Sequence, residues 1–174
     1  MPSICIAMTR LALVICACFT WSQDGYGQSP ADAGSTARGG THLYVLLGLG
    51  NNSPGLVEFG SKMQRRGIPT TVSNYGDWPS LAQNAVQQYK SGRVRSIEIV
   101  GHSLGGDAAR DMAAELGNAG VPVKLVLTLD STTYGAVTPN VRRAVSFVPR
   151  AGEDHFSIIA ARESDVARYV LGGR

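Results

Sequence analysis

From Ser96 to Arg110 the chain reads Ser-Ile-Glu-Ile-Val-Gly-His-Ser-Leu-Gly-Gly-Asp-Ala-Ala-Arg, an apolar strand pattern that passes through Gly-x-Ser-x-Gly into a helical one. No other stretch limits the fold as much. The alternation of Val94 to Val100 predicts a strand, and Leu104, Ala108, Met112 and Leu116 recur at helical spacing directly after it. Between the two, Gly101, Ser103 and Gly105 match a nucleophile elbow, a sharp turn that lifts a serine hydroxyl above the carboxyl end of a strand. With 21 glycines in 174 residues the three fixed positions alone are weak evidence. The strand before them and the helix after them give the match its weight.

The rest of the chain repeats the same alternation. His42 to Leu47 is a near-continuous apolar run, as expected of a strand covered on both faces. It ends in Gly48-Leu49-Gly50-Asn51-Asn52, after which Ser53-Pro54 reads as a capped helix start and Gly67 as its stop. The glycine-rich loop lacks the spacing of a phosphate-binding motif. Pro69 to Asn74 predicts a strand, Tyr75 to Pro79 a turn, and Ser80 opens a helix with Leu81, Ala85, Val86 and Tyr89 on one face. Trp78 either lines a cleft or packs a helix end, and packing is the favoured reading. Val121 to Leu129 and Val141 to Val148 predict two more strands, and a short helix is expected near Ser164 to Leu171. Such alternation predicts an α/β fold: a doubly wound, mostly parallel sheet of about five strands with flanking helices.

The first forty residues stand apart. Arg10 precedes the apolar run Leu11 to Phe19, and Gly25-Tyr26-Gly27 offers small residues for cleavage, so residues 1–27 read as a secretory signal peptide. The run is too short for a membrane-spanning helix, which needs about 20 apolar residues. Cys18 after Ile15-Cys16-Ala17 gives lipoprotein anchoring as a less favoured alternative. All three cysteines, Cys5, Cys16 and Cys18, fall in this leader, leaving the exported chain without thiol or disulfide chemistry. Residues 28–40, rich in small and polar residues, read as a flexible linker, and residues 41–174 as one domain. The net charge of +3 is spread without basic runs, which does not suggest a nucleic-acid partner.

Sites in such sheets lie beyond the carboxyl ends of the strands. Gly48 to Asn52, Ser103, Asp130 and His155 all fall there. A serine hydroxyl needs a base to attack at neutral pH. His42 lies at the wrong end of its strand and His102 flanks the serine with its side chain expected to point away, leaving His155 as the base. A carboxylate must hold that base. Asp130 is the candidate because Asp107, Asp111 and Glu115 ride the helix after the elbow; Asp154, adjacent to His155, is the alternative.

These residues resemble the α/β-hydrolase superfamily, in its small lipase-like and thioesterase-like members. The resemblance covers roughly Leu43 to Leu171 and rests on Gly101-His102-Ser103-Leu104-Gly105-Gly106, Leu47-Gly48-Leu49-Gly50, Asp130 and Asp154-His155-Phe156. It implies a compact hydrolase fold without a lid, in which the backbone N–H groups of Leu49 and Leu104 form the oxyanion hole. It further implies an exported serine esterase or thioesterase that cleaves small-molecule or lipid-like esters through an acyl-enzyme on Ser103, with no metal or organic cofactor. Two other readings fit the same residues: an acyltransferase with this triad, and a non-catalytic binding or envelope protein on a hydrolase scaffold.

Overall fold

In the computed structural model, which describes residues 40–172, strands and helices alternate as far as the fourth strand, which is joined to the fifth by a loop without a helix before the fourth helix closes the order. The strands are β1 (Gly40–Leu47), β2 (Thr70–Asn74), β3 (Val94–His102), β4 (Leu125–Leu129) and β5 (Ala144–Phe147). The helices are α1 (Leu56–Arg65), α2 (Trp78–Lys90), α3 (Leu104–Asn118) and α4 (Ser157–Val170). All strand pairs are parallel and the sheet order is β2-β1-β3-β4-β5. The expected α/β sheet is therefore present, and every one of its strand pairs is parallel. The predicted signal peptide and nearly all of the linker lie outside the described residues.

Strand parity assigns the two faces. Tyr44, Leu46, Ile97, Ile99 and Val126 pack against α2 and α3 through Ala82, Ala85, Met112 and Leu116. Leu43, Val45, Leu47, Val100, Leu125, Leu127 and Leu129 meet α1 and α4 through Leu56, Phe59, Met63, Ile158 and Val166. Both faces of β1 are thus buried, the reason it reads as a near-continuous apolar run, whereas β3, equally covered, carries the buried Glu98, paired with Lys124 (2.6 Å). Trp78 packs against the first of these clusters. The chain changes direction about β1, so the switch point lies between β1 and β3, where doubly wound sheets open their crevice.

Four local expectations are corrected. Helix α1 begins at Leu56, after Gly55 in a left-handed conformation (φ 90°), and Ser53 does not cap it. Helix α2 begins at Trp78 with Pro79 in its first turn. The fourth strand is shorter than its apolar run, since Val123 makes only an isolated bridge to Val141 before Leu125 joins the sheet. Helix α4 starts at Ser157, seven residues earlier than expected, because Asp154 Oδ1 accepts the N–H groups of Phe156 (2.9 Å) and Ser157 (2.7 Å) and Asp154 N–H donates to Ser157 Oγ (2.7 Å). This reciprocal pair satisfies the opening turn of the helix. Among the described residues no helix is long and apolar enough to cross a membrane.

Candidate functional site

Ser103 sits between the last residue of β3 and the first of α3 with φ 56° and ψ −127°, a conformation that residues carrying a Cβ rarely adopt. Two glycines let the backbone make this turn. A Cβ on Gly101 would overlap the Gly105 carbonyl, and a Cβ on Gly105 would overlap the Leu46 carbonyl of β1. The strand and the helix therefore approach more closely than side chains permit. Ser103 N–H donates to the Leu129 carbonyl (3.0 Å), which fixes the turn to β4.

His155 and Asp130 come together across 25 residues. His155 Nδ1 lies 2.7 Å from Asp130 Oδ2, and because the carboxylate only accepts, Nδ1–H is the donor. That leaves Nε2 as the nitrogen able to accept a proton. Asp154, the alternative partner, is engaged by the start of α4 instead, and the hydrogen bonds from Ser157 and Phe156 hold its carboxyl below the usual range. Among the described residues neither the Ser103 hydroxyl nor His155 Nε2 has a hydrogen-bond partner. Contacts of this kind are commonly loose before substrate arrives.

Both loops are anchored. Asp130 opens its loop at φ 43°, with Asp130 N–H bonded to the Phe147 carbonyl (2.8 Å). The next residues are pinned by Asp107 of α3, whose carboxylate accepts from Thr132 Oγ1, Thr133 Oγ1 (2.8 Å), Thr133 N–H (3.1 Å) and Arg110. Burial alone would raise the Asp107 pKa, yet these donors bring it below its ordinary value. Asp107 thus holds the Asp130 loop although it stands outside the pair itself. The His155 loop is fastened by Glu153, which pairs with the nearly buried Arg162 (2.7 Å) and accepts the Arg150 N–H (3.0 Å).

Leu49 opens a single 3-10 turn over Leu49–Asn51, and Leu104 is the first residue of α3. As the first residue of a helix, Leu104 has no intrahelical carbonyl for its N–H, and the positive end of the helix dipole lies there. The β1 loop reaches the elbow at Gly48, where an added Cβ would stand 3.2 Å from Ser103 Cβ. Asn51, in a left-handed conformation (φ 62°), accepts Asn74 Nδ2–H (2.8 Å) and so ties this loop to the end of β2.

His102 does not simply point away. It is fully buried, with Nδ1 2.9 Å from Ser53 Oγ and Nε2 2.7 Å from the His155 carbonyl. Its ring centroid lies 4.6 Å from that of His155. Ser53 Oγ also accepts the Gly48 N–H (2.8 Å). Strand parity offered a signal for His102, because positions 98, 100 and 102 share the face turned to α1 and α4. Ser53 carried none, since its partner is 49 residues away. No group of three or more His, Cys, Asp or Glu among the described residues is placed to hold a metal ion.

No family model matches this chain, and no curated protein does. Among solved structures, it is similar to a 3-dehydroquinate dehydratase-like protein from Bifidobacterium longum, with 13% identity, 75% of this chain and 98% of that chain covered, and a TM-score of 0.35. A likeness that remote does not transfer the neighbour's activity. These findings correct the expectation drawn from the motifs: no family model places the chain in the α/β-hydrolase superfamily, and the Bifidobacterium longum structure is of a dehydratase-like protein. Membership of that superfamily is withdrawn, together with the lipase-like, esterase, thioesterase and acyltransferase activities and the hydrolase scaffold that followed from it. The physical reason is that a strained serine between strand and helix is a local device, recognised by geometry and hosted by unrelated folds.

Proposed function

We propose that Ser103, His155 and Asp130 form a nucleophilic-serine centre that adds covalently to an electrophilic carbonyl carbon. The 2.7 Å bond from His155 to Asp130, at the same sheet end as a serine on a strained turn, is the observation that carries this reading. In the step proposed, the Ser103 Oγ lone pair forms the new bond to carbon and the carbonyl π pair moves onto its oxygen. The Oγ proton passes to His155 Nε2, and Asp130 stabilises the imidazolium. The N–H groups of Leu104 and Leu49 are the proposed donors to the new oxyanion. Two exposed apolar side chains, Leu49 (67%) and Phe156 (44%), flank the site on the loops that carry these groups, and the exposed ring of Tyr134 (65%) joins them while its hydroxyl donates to Asp130 Oδ1 (3.4 Å). They favour an electrophile with apolar substituents over a highly charged one.

Labelling with a fluorophosphonate probe tests the centre without presuming what it turns over. Wild type is expected to label at one site, Ser103→Ala to abolish labelling and His155→Ala to slow it severely. A folded wild type that does not label, or labelling that survives Ser103→Ala, overturns the proposal. We further propose that residues 1–27 direct export; a mature N-terminus near Gln28 outside the cytoplasm is the expected result, and an uncleaved cytoplasmic chain the contrary one.

A further inference from the structure

The two sides of the proposed centre come from distant parts of the chain: the loop after β1, with Leu49, and the loop before α4, with His155. One chain of hydrogen bonds crosses the buried space between them. It runs from Gly48 N–H to Ser53 Oγ (2.8 Å), from Ser53 Oγ to His102 Nδ1 (2.9 Å), and from His102 Nε2 to the His155 carbonyl (2.7 Å). Ser53 is 4% exposed and His102 not at all.

The proton positions follow from the partners. A carbonyl oxygen only accepts, so His102 Nε2 carries the hydrogen. Burial lowers the His102 pKa, the bond to the His155 carbonyl and the charge of Asp130 work against that, and the neighbouring His155 reinforces it. In the neutral ring Nδ1 is bare and accepts the Ser53 hydroxyl proton. The Ser53 oxygen then accepts from Gly48. Each group has one role, and none can be reversed without leaving a buried donor or acceptor unpaired. The His102 ring also lies against the ring of His155, so it restrains that residue through both main chain and side chain.

We propose that His102 is a positioning residue, and that the Ser53–His102 link holds the Leu49 loop and His155 at a fixed separation about Ser103. The assignment of a reacting role to Ser103 and His155 rests on the function proposed above; the link rests on its own hydrogen bonds. His102→Leu removes both bonds at similar bulk. His102→Gln keeps a donor for the His155 carbonyl and an acceptor for Ser53. Ser53→Ala cuts the connection to Gly48 but leaves the bond from His102 to His155.

Two readouts test it: the kinetics of fluorophosphonate labelling, separated into binding and bond formation, and the downfield proton resonance of His155 Nδ1–H. His102→Leu is expected to slow bond formation about 10- to 100-fold with little change in probe binding, the scale of a small misplacement of reacting groups. Ser53→Ala should fall between it and wild type, and His102→Gln should recover most of the rate. The His155 Nδ1–H resonance should broaden in His102→Leu and stay sharp in His102→Gln. A folded His102→Leu with unchanged resonance and unchanged rate of bond formation overturns the proposal, as does a His102 ring protonated on Nδ1 alone. If wild type shows the sharp resonance and His102→Leu loses it, yet wild type does not label, the link stands and the nucleophile reading falls.

Discussion

Replacing Asp130 with asparagine removes one charge and leaves the shape of the site. Asp130 adopts φ 43°, a left-handed conformation that asparagine tolerates as well as aspartate, so the backbone has no cause to move. What changes is the partner of His155 Nδ1 at 2.7 Å. As Ser103 loses its proton the imidazole becomes a cation, and the bond becomes a charge-assisted one, for which about 1.5–3 kcal/mol is typical. The side chains of His155 and Asp130 are 38% and 20% exposed, which places the pair between the roughly 1 kcal/mol of two charges 4 Å apart in water and the roughly 4 kcal/mol of a pair near a protein surface. A loss of about 2 kcal/mol in the barrier is a fall of about 30-fold in rate. Asparagine can also donate to Nδ1 and leave the ring proton on Nε2, facing the serine, which lowers the rate further. The assay is the second-order rate of fluorophosphonate labelling at mildly alkaline pH, with circular dichroism and a thermal melt to verify folding. A fall smaller than about fivefold, equivalent to 1 kcal/mol, would refute the role given to Asp130.

Other substitutions separate strain from packing. Gly105→Ala drives a Cβ into the Leu46 carbonyl, and neither backbone segment can yield; a loss of about 3 kcal/mol in guanidinium unfolding is expected, whereas Gly135→Ala, with open space around it, should be nearly neutral. Ser103→Gly and Ser103→Ala both remove the nucleophile, but only glycine relieves the turn at φ 56°, so the glycine variant should be more stable by about 1 kcal/mol; equal melts would show that the elbow is unstrained. The Asp107 pKa is lowered in the folded protein, so its contribution is present above the unfolded value of about 3.9 and lost as pH falls through the folded one. Asp107→Asn should therefore destabilise at neutral pH and flatten the acid side of the stability profile, and an unchanged profile would remove Asp107 from the account of the Asp130 loop.

The arrangement of strands and helices was legible because each element buries a continuous face, and burial writes its period into the sequence. Leu43 to Leu47 on β1 is apolar without interruption since helices cover both sides, and on β3 Ile97, Ile99 and Val100 are interrupted only by Glu98, which is buried and paired with Lys124. Element ends were less legible where one side chain has two possible uses. Ser53-Pro54 has the form of a helix cap, but the Ser53 hydroxyl is claimed by Gly48 and His102, and the helix starts three residues later. The early start of α4 depends on the reciprocal bonds of Asp154 and Ser157, which also decide that Asp154 does not partner His155. Strand ends brought Asp130 and His155 forward as candidates, but the sequence left Asp154 open as the partner, and the 2.7 Å contact between Asp130 and His155 appears only in the structure. Strand parity marks His102 as facing α1 and α4 but not what it bonds, and the roles of Ser53 and Asp107, which depend on contacts with His102 49 residues away and with Thr132 25 residues away, have no local signature. Family membership was the least secure inference, because the elbow motif describes one turn and says little about the other hundred residues.

The sheet order also dictates when its parts can form. Leu43 pairs with Thr70, and on the other side Tyr44 pairs with Ile99, 55 residues further along. No strand has a neighbour that a tight hairpin could supply, and chains dominated by such distant pairings fold slowly. With strands on both sides, β1 is expected to join the folding nucleus, and edge strand β5 to dock late. Val45→Ala should then slow refolding in stopped-flow experiments, while Val145→Ala should mainly speed unfolding; the reverse pattern would place the nucleus elsewhere. During synthesis, Leu43 to Leu47 emerges as an apolar segment with no partner until β2 follows and no second one until β3 does. In that interval it is open to chaperones and to other copies of itself.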